Sequence, residues 1–185
     1  MKIDITQKGN LYKFYKNNNE DHFLTGKWIG GWFSKVRSEI YDLHHVKLVT
    51  IKQGQVNPIW SKKKDTYEFE LHKLDLKLTI IVTNRWKGHW SFKFNDDNYD
   101  FYRHRGHRRS LYKNSQQIAK YNKRSVNLWE YDKGYIIADN DSNELILICL
   151  FLAYDMGEQN DADISVDLGQ LAEGVKEYDD SWTPK

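Results

Sequence analysis

A run of cationic side chains between residues 103 and 109 has the residue types and spacing to bind an anion. It contains four arginines and two histidines, namely Arg103, His104, Arg105, His107, Arg108 and Arg109. Guanidinium groups present paired donors that match phosphate oxygens, and histidines add charge below about pH 6.5. Gly106 predicts a turn that gathers the arginines at a hairpin tip. The run is therefore a candidate site for an external anion such as a phospholipid headgroup. The acidic C-terminal tail or Asp96-Asp97 is an alternative, internal partner.

A second basic run, Lys62, Lys63 and Lys64, follows Trp60 after one serine. A tryptophan followed by lysines is typical of a loop at a membrane interface, and we keep this run as a secondary basic loop. A solvated turn explains the same residues.

The charge of the chain is unevenly distributed. The formal net charge is +2, yet residues 157–185 contain eight acidic residues against two lysines. The preceding part is therefore distinctly basic and attracts phosphate headgroups or nucleic acid, while the tail screens it or increases solubility.

No catalytic or metal-binding motif is present in the sequence. It has no phosphate-binding glycine loop, no nucleophile elbow and no HExxH. Asp139, Asp141 and Asn143 follow calcium-loop spacing, but the later positions do not fit an EF-hand, and helix capping explains them. The single Cys149 lies in an apolar segment, which favours packing over reactivity. We expect a non-enzymatic protein without a metal or cofactor.

Most of the chain alternates apolar and polar residues with the period of a β-strand. From residue 66 onward the apolar positions are Tyr67, Phe69, Leu71; Leu74, Leu76, Leu78, Ile80; Trp90, Phe92, Phe94; and Tyr99, Phe101. Such spacing places one face of each strand on a core, and short polar turns separate the runs. We predict ten to twelve antiparallel strands that close into a barrel or stack as a sandwich.

Residues 145–154 break this pattern, because they are apolar without alternation. We predict a helix near 142–156, with Asp141 and Glu144 as a capping box and Gly157 as its C-terminal cap. A helix that is apolar all round must be surrounded by protein or lipid. Its expected place is the centre of the barrel; a membrane anchor or a buried strand are the alternatives. Residues 1–156 would then form one domain, followed by an acidic tail at 157–185.

This order of elements resembles the tubby C-terminal-like superfamily, which includes tubby, the phospholipid scramblases and LURP-one-related proteins. The resemblance covers about residues 26–156 and rests on segments 32–41, 90–94, 96–97, 99–101, 110–112, 117–120 and 139–155. It implies a closed barrel of about twelve strands, threaded by an apolar C-terminal helix. It also implies a non-enzymatic protein that binds anionic phospholipid headgroups, cytoplasmic and peripheral at the inner membrane surface.

Three other functions fit parts of the sequence. Gly26-Lys27-Trp28 matches the short motif of lipocalins, which carry an apolar ligand inside a barrel. The basic body with exposed aromatic residues would suit nucleic acid, which we regard as less favoured. An interaction scaffold that binds a protein partner, inhibited by its own tail, is the third alternative.

Overall fold

The computed structural model describes residues 1–31, 34–57, 64–84, 87–124, 132–160 and 176–185. The described residues form twelve β-strands, one short 3-10 turn at His72–Leu74 and one α-helix, α1, at Glu144–Asn160. The strands are β1 Lys2–Lys8, β2 Leu11–Lys16, β3 His22–Gly31, β4 Ser34–Tyr41, β5 Lys47–Gln53, β6 Thr66–Leu71, β7 Leu76–Asn84, β8 His89–Phe94, β9 Asp97–Arg103, β10 Arg108–Lys113, β11 Gln116–Arg124 and β12 Asp132–Ala138.

The strands close into an antiparallel barrel in which each strand pairs with its neighbours along the chain. The first and last strands complete the ring, with Ile3 opposite Ile136 and Ile5 opposite Gly134. Closure removes the exposed edges that an open sheet would present. The prediction of an all-β barrel of about twelve strands is confirmed.

Helix α1 lies inside the barrel, as predicted. Every residue from Ile146 to Met156 is buried. The helix touches the wall on several sides: a Cβ atom added to Gly26 in β3 would lie 3.1 Å from Leu152, and the rings of Trp90 in β8 and Tyr154 lie 5.4 Å apart. The helix and the inward residues of the strands form one apolar core. Among the described residues, no helix has both the length and the apolar character needed to cross a bilayer.

Both predicted helix caps differ from the observed ones. The side chain of Asn143, not Asp141, accepts the N–H of Ile146 at 3.1 Å and so caps the N-terminus. At the other end the helix continues through Gly157 to Asn160. Gly157 is therefore helical rather than a terminating residue, and the helix begins and ends later than predicted.

Successive turns of an up-and-down barrel alternate between its two ends. One end carries the turn between β9 and β10 and the C-terminal end of α1, and we call it the hairpin end. The opposite end carries residues 42–46 and 72–75, the connections β4–β5 and β6–β7, which together we call the turn pair. It also carries the start of α1, so we call it the turn-pair end.

The last ten residues, 176–185, lie on the outside of the barrel and are called the strap. At the hairpin end the ring of Tyr178 lies 5.0 Å from that of His104. At the turn-pair end the Lys185 N–H donates to Asp139 Oδ1 at 2.7 Å. The strap therefore follows the outer face of β9 to β11 from one end to the other. Residues 161–175 lie outside the described part of the chain.

Candidate functional site

The predicted anion site, residues 103–109 or the basic hairpin, forms the tight turn that the sequence indicates. Gly106 and His107 occupy its two central positions with φ of 68° and 59°. Arg103 at the end of β9 pairs in register with Arg109 at the start of β10. The cationic residues are neighbours in the sequence and meet at the turn, but their side chains do not share one surface.

Arg109 is buried at the hairpin end of the core, with 3% of its surface exposed. Its guanidinium carbon lies 3.7 Å from the centre of the Tyr154 ring, and Nη1 donates to the backbone carbonyl of His107. A cation stacked on an aromatic face and shielded from water stabilises the barrel. Arg109 therefore joins the hairpin to helix α1 rather than facing an external anion.

His104 is also buried. Its Nε2 atom lies 2.6 Å from Ser110 Oγ, and the ring also hydrogen-bonds the backbone of Lys176 in the strap. Burial lowers the pKa of His104 from 6.5 to about 4, and the nearby charges of Arg108 and Arg109 act in the same direction. His104 is therefore neutral near pH 6, which corrects the expectation that it would add charge to the site.

Arg108 is held by the strap. Its Nη1 atom lies 3.1 Å from Asp180 Oδ1, and its guanidinium lies 5.2 Å from the centre of the Tyr178 ring. The acidic tail is thus the internal partner that the sequence left open as an alternative. Of the remaining cationic residues, Arg105 and His107 are exposed, and Arg103 is half-buried with its N–H donating to the Gly88 carbonyl.

The secondary basic loop is described only in part. Lys62 and Lys63 lie outside the described residues, while Lys64 is exposed and its carbonyl accepts a hydrogen bond from Asn57 Nδ2 at 3.0 Å. Lys64 belongs to the β5–β6 connection and so lies at the hairpin end of the barrel.

A second surface, the turn pair, is not predicted by the sequence analysis. Leu43, Val46 and Leu74 expose 58%, 49% and 61% of their surfaces there, and Leu76 is exposed at the adjoining start of β7. Isolated exposed apolar residues are ordinary, whereas several on neighbouring turns form a patch that suits an apolar environment. Alternation predicted that Leu74 and Leu76 face the core. Leu74 instead belongs to the 3-10 turn and Leu76 to the rim of the barrel.

Local hydrogen bonds determine the shape of the turn pair. Asp42 Oδ1 accepts the N–H groups of His44 and Val46, each at 2.9 Å. These backbone hydrogen bonds, that of Val46 above all, hold the pKa of Asp42 below its usual value. The Lys73 ammonium lies 3.5 Å from Asp42 Oδ2 and links the two turns. An Asx-type turn followed by a residue in the left-handed region, His45 with φ of 60°, directs the leucine and valine outward.

Lysines surround the apolar side chains of the turn pair. Lys73 and Lys77 expose 65% and 76% of their side chains, and Lys47 is partly exposed beside Glu39. Lys47 and Lys77 lie within 4 Å of Glu39 and Glu70 on the barrel strands, and Lys73 lies within 4 Å of Asp42 in the turn itself. Such pairs contribute little to stability where they are exposed, and the three lysine side chains still reach solvent. The turn pair thus combines exposed apolar side chains with cations at its margin.

The described residues contain no group of three or more His, Cys, Asp or Glu side chains that could hold a metal ion. The predicted calcium-like residues have structural contacts instead: Asp139 accepts the N–H of Lys185, and Asn143 caps the helix. Helix α1 fills the space in which a lipocalin-like carrier would hold its ligand.

Comparison of the chain with protein-family models, with curated proteins and with solved structures found no match.

Proposed function

We propose that the protein is a non-enzymatic module that binds anionic membrane surfaces and that it does so with the turn pair. The observation that carries this proposal is the exposure of Leu43, Val46 and Leu74 on two adjacent turns bordered by lysines. A membrane interface accepts apolar side chains among its acyl chains and lysines among its phosphates.

The expected energies are modest and additive. Full burial of a leucine or valine side chain contributes roughly 1.5–3 kcal/mol, and a lysine near an anionic leaflet contributes about 1 kcal/mol. Partial insertion of three side chains with two or three lysines is enough for reversible, peripheral attachment. We place the protein on the cytoplasmic leaflet in this proposal, because anionic lipids concentrate there.

The basic hairpin is the weaker candidate for headgroup binding. Arg109 is buried against Tyr154, and Arg108 is paired with Asp180 of the strap. An external phosphate would have to displace the strap before it reached Arg108. The apolar side chains of the turn pair are exposed without any such rearrangement.

The tubby-like resemblance remains a hypothesis. The closed barrel around a buried helix is the architecture that it implies, which supports it without assigning a function. Phospholipid binding follows from the turn pair independently of that resemblance. A nucleic-acid partner has no comparable surface feature in its favour among the described residues.

Vesicle sedimentation tests the proposal. The double variant Leu43→Ser/Leu74→Ser should bind vesicles of phosphatidylcholine with 30% phosphatidylserine about tenfold less tightly than the unchanged protein. Leu11→Ser is the matched control, because Leu11 is 41% exposed but lies in the β1–β2 hairpin at the opposite end. Neutral vesicles should bind every form weakly, and added salt should weaken, without abolishing, binding to the anionic vesicles.

Variants at the other end complete the experiment. If Arg105→Gln with Lys64→Gln removes vesicle binding while the leucine variants keep it, the membrane site is at the hairpin end and the proposal for the turn pair is wrong. Equal loss with Leu11→Ser would contradict it as well. Competition by duplex DNA that removes all vesicle binding would favour a general polyanion surface.

A further inference from the structure

The strap contacts the barrel with every second side chain. Residues 176, 178 and 182 are half-buried, whereas 177, 179, 180 and 181 are exposed. The side chains that touch barrel residues are Lys176, Tyr178, Asp180 and Trp182. Asp179 instead accepts hydrogen bonds from Ser181 and from the N–H of Trp182, within the strap. The main chain turns at residues 180 and 181, so the strap lies on the outer face of the strands through alternate side chains and does not add a strand to the sheet.

The first half of the strap lies on aromatic and cationic residues of β9 and β10. The Lys176 ammonium lies 3.5 Å from the centre of the Tyr112 ring. Tyr178 approaches His104 edge-on at 5.0 Å and lies under the guanidinium of Arg108 at 5.2 Å. A cation on an aromatic face and an aromatic ring between an imidazole and an arginine are both selective contacts.

The second half of the strap adds a charge contact and a backbone contact. Asp180 binds Arg108 with oxygens at 3.1 and 3.3 Å. Lys120 in β11 donates to the carbonyl of Trp182 at 2.9 Å, and its ammonium lies 5.8 Å from the ring. The barrel surface thus receives an ammonium, a phenol, a carboxylate and an indole in that order.

Each of these contacts is individually weak. An exposed ion pair contributes about 0.2–1 kcal/mol, and an exposed cation on a ring contributes about 0.5–1 kcal/mol. Most strap contacts are made by side chains. Its main chain hydrogen-bonds the rest of the molecule through the carbonyls of residues 176, 182 and 185 and through the N–H of Lys185. A segment held in this way can be exchanged for another of the same chemistry.

We propose that the outer face of β9 to β11 is a peptide-recognition surface for a segment of the pattern lysine-x-tyrosine-x-aspartate-x-tryptophan, with a turn after the aspartate as in the strap. The strap occupies this surface in the resting protein. A partner protein that carries a segment of this pattern takes its place when the strap leaves. The proposal is independent of membrane binding, because the strap surface and the turn pair share no residue.

The experiment uses the full chain with a weakened strap. Tyr178→Ser with Asp180→Asn removes two of the four alternating contacts and leaves every barrel residue unchanged. A fluorescent decapeptide with the sequence of residues 176–185 is then titrated, and its anisotropy is measured. We expect a dissociation constant between about 10 μM and 1 mM for the variant. Binding to the unchanged protein should be at least tenfold weaker, since its own strap competes.

Two controls separate recognition from general attraction. A peptide of identical composition in which residues 178 and 179 are exchanged, and likewise 180 and 181, keeps its charge but loses the alternating pattern. It should bind at least fivefold more weakly than the matching peptide. Adding Arg108→Gln to the weakened-strap variant should also lower affinity for the matching peptide about fivefold, which is about 1 kcal/mol.

Three results would overturn the proposal. They are the absence of binding to the weakened-strap variant at 1 mM peptide, equal binding of the matching and exchanged peptides, and a strap-dependent dimer of the unchanged protein in light scattering. The last result would mean that the strap holds two copies together. The assay contains no lipid, so failure here leaves membrane binding by the turn pair untouched.

Discussion

The two ends of the barrel differ in which side chains they expose. The basic hairpin has six cationic or titratable residues within seven positions, but Arg109 is buried on Tyr154 and Arg108 is paired with Asp180. The turn pair has fewer charges, yet three large apolar side chains there are about half exposed or more. The end with the strongest charge pattern in sequence is thus the end where one arginine is buried and another is covered by the strap.

The difference arises from contacts that are distant along the chain. Arg108 and Asp180 are separated by 72 positions, and Tyr154 follows Arg109 by a turn, two strands and most of the helix. The contacts that shape the turn pair are local, since Asp42 caps its own turn within four residues. A charge cluster therefore identifies an external binding site only after its internal partners are known.

The largest expected effect is on stability. Arg109→Ala should lower the free energy of unfolding by about 3 kcal/mol, because it removes a buried cation stacked on Tyr154 and leaves a cavity at the helix end. Lys73→Ala, at the other end and 65% exposed, should change it by less than about 0.5 kcal/mol. Urea unfolding followed by circular dichroism measures both values.

Arg109→Lys tests which property of the arginine matters. If the planar guanidinium on the ring stabilises the barrel, lysine restores less than half of the loss. Complete recovery with lysine would assign the effect to charge alone. A loss for Arg109→Ala as small as that for Lys73→Ala would remove the structural role that distinguishes the hairpin from the turn pair.

The second prediction concerns the pH dependence of stability. His104 titrates near 6.5 in the unfolded chain and near 4 in the folded protein. Between these values the unfolded chain binds more protons, so the free energy of unfolding decreases as the pH falls from 6.5. Over two pH units the contribution of His104 amounts to about 2 kcal/mol. Urea unfolding at several pH values between 6.5 and 4.5 measures the slope.

His104→Gln should flatten this slope, because glutamine keeps a hydrogen-bonding group near Ser110 but does not titrate. His44→Gln in the turn pair is the control and should leave the slope unchanged, since His44 is exposed at the opposite end. An equal slope in the unchanged protein and in His104→Gln would show that the imidazole is not buried neutral.

Much of the fold was predictable because its signals are local. Alternation identified β6, β8 and β9, and the absence of alternation identified the helix inside the barrel. Strand β1 was missed, although Ile3 and Ile5 alternate inward, because its run is short and lies among polar residues. The caps were misassigned because Asp141 and Asn143 are both good capping residues, and a glycine inside a packed helix resembles one after its end.

The candidate surfaces were less predictable. The hairpin was located correctly as a turn, but its pairing with the strap depends on tertiary contacts that spacing does not reveal. The turn pair was hidden by alternation itself. Leu74 and Leu76 continue the period of Leu78 and Ile80. Asp75 nevertheless adopts φ of 47°, and only Leu78 and Ile80 of these four residues are buried in the core. The available signal was Asp75, a residue type that favours turns, between Leu74 and Leu76.

The smallest expected effect comes from the ion pairs at the two ends. A double-mutant cycle with Arg108→Gln and Asp180→Asn should give a coupling energy of about 0.5 kcal/mol, since Asp180 is largely exposed. The cycle with Lys73→Gln and Asp42→Asn should likewise give only a weak coupling. Both should decrease between 0.05 and 0.5 M salt, measured by urea unfolding.

Loss of the two ion pairs should nevertheless accelerate amide exchange in different parts of the molecule. Without the Arg108–Asp180 pair the strap is held by its remaining side chains, so amide exchange at residues 178–182 should accelerate while exchange in β9 and β10 stays slow. In Asp42→Asn the two hydrogen bonds that shape the turn are weakened as well, because an amide oxygen accepts less strongly than a carboxylate. Amide exchange at His44 and Val46 should therefore accelerate. Faster exchange throughout the barrel in either variant would contradict the assignment of both pairs to independent surface elements.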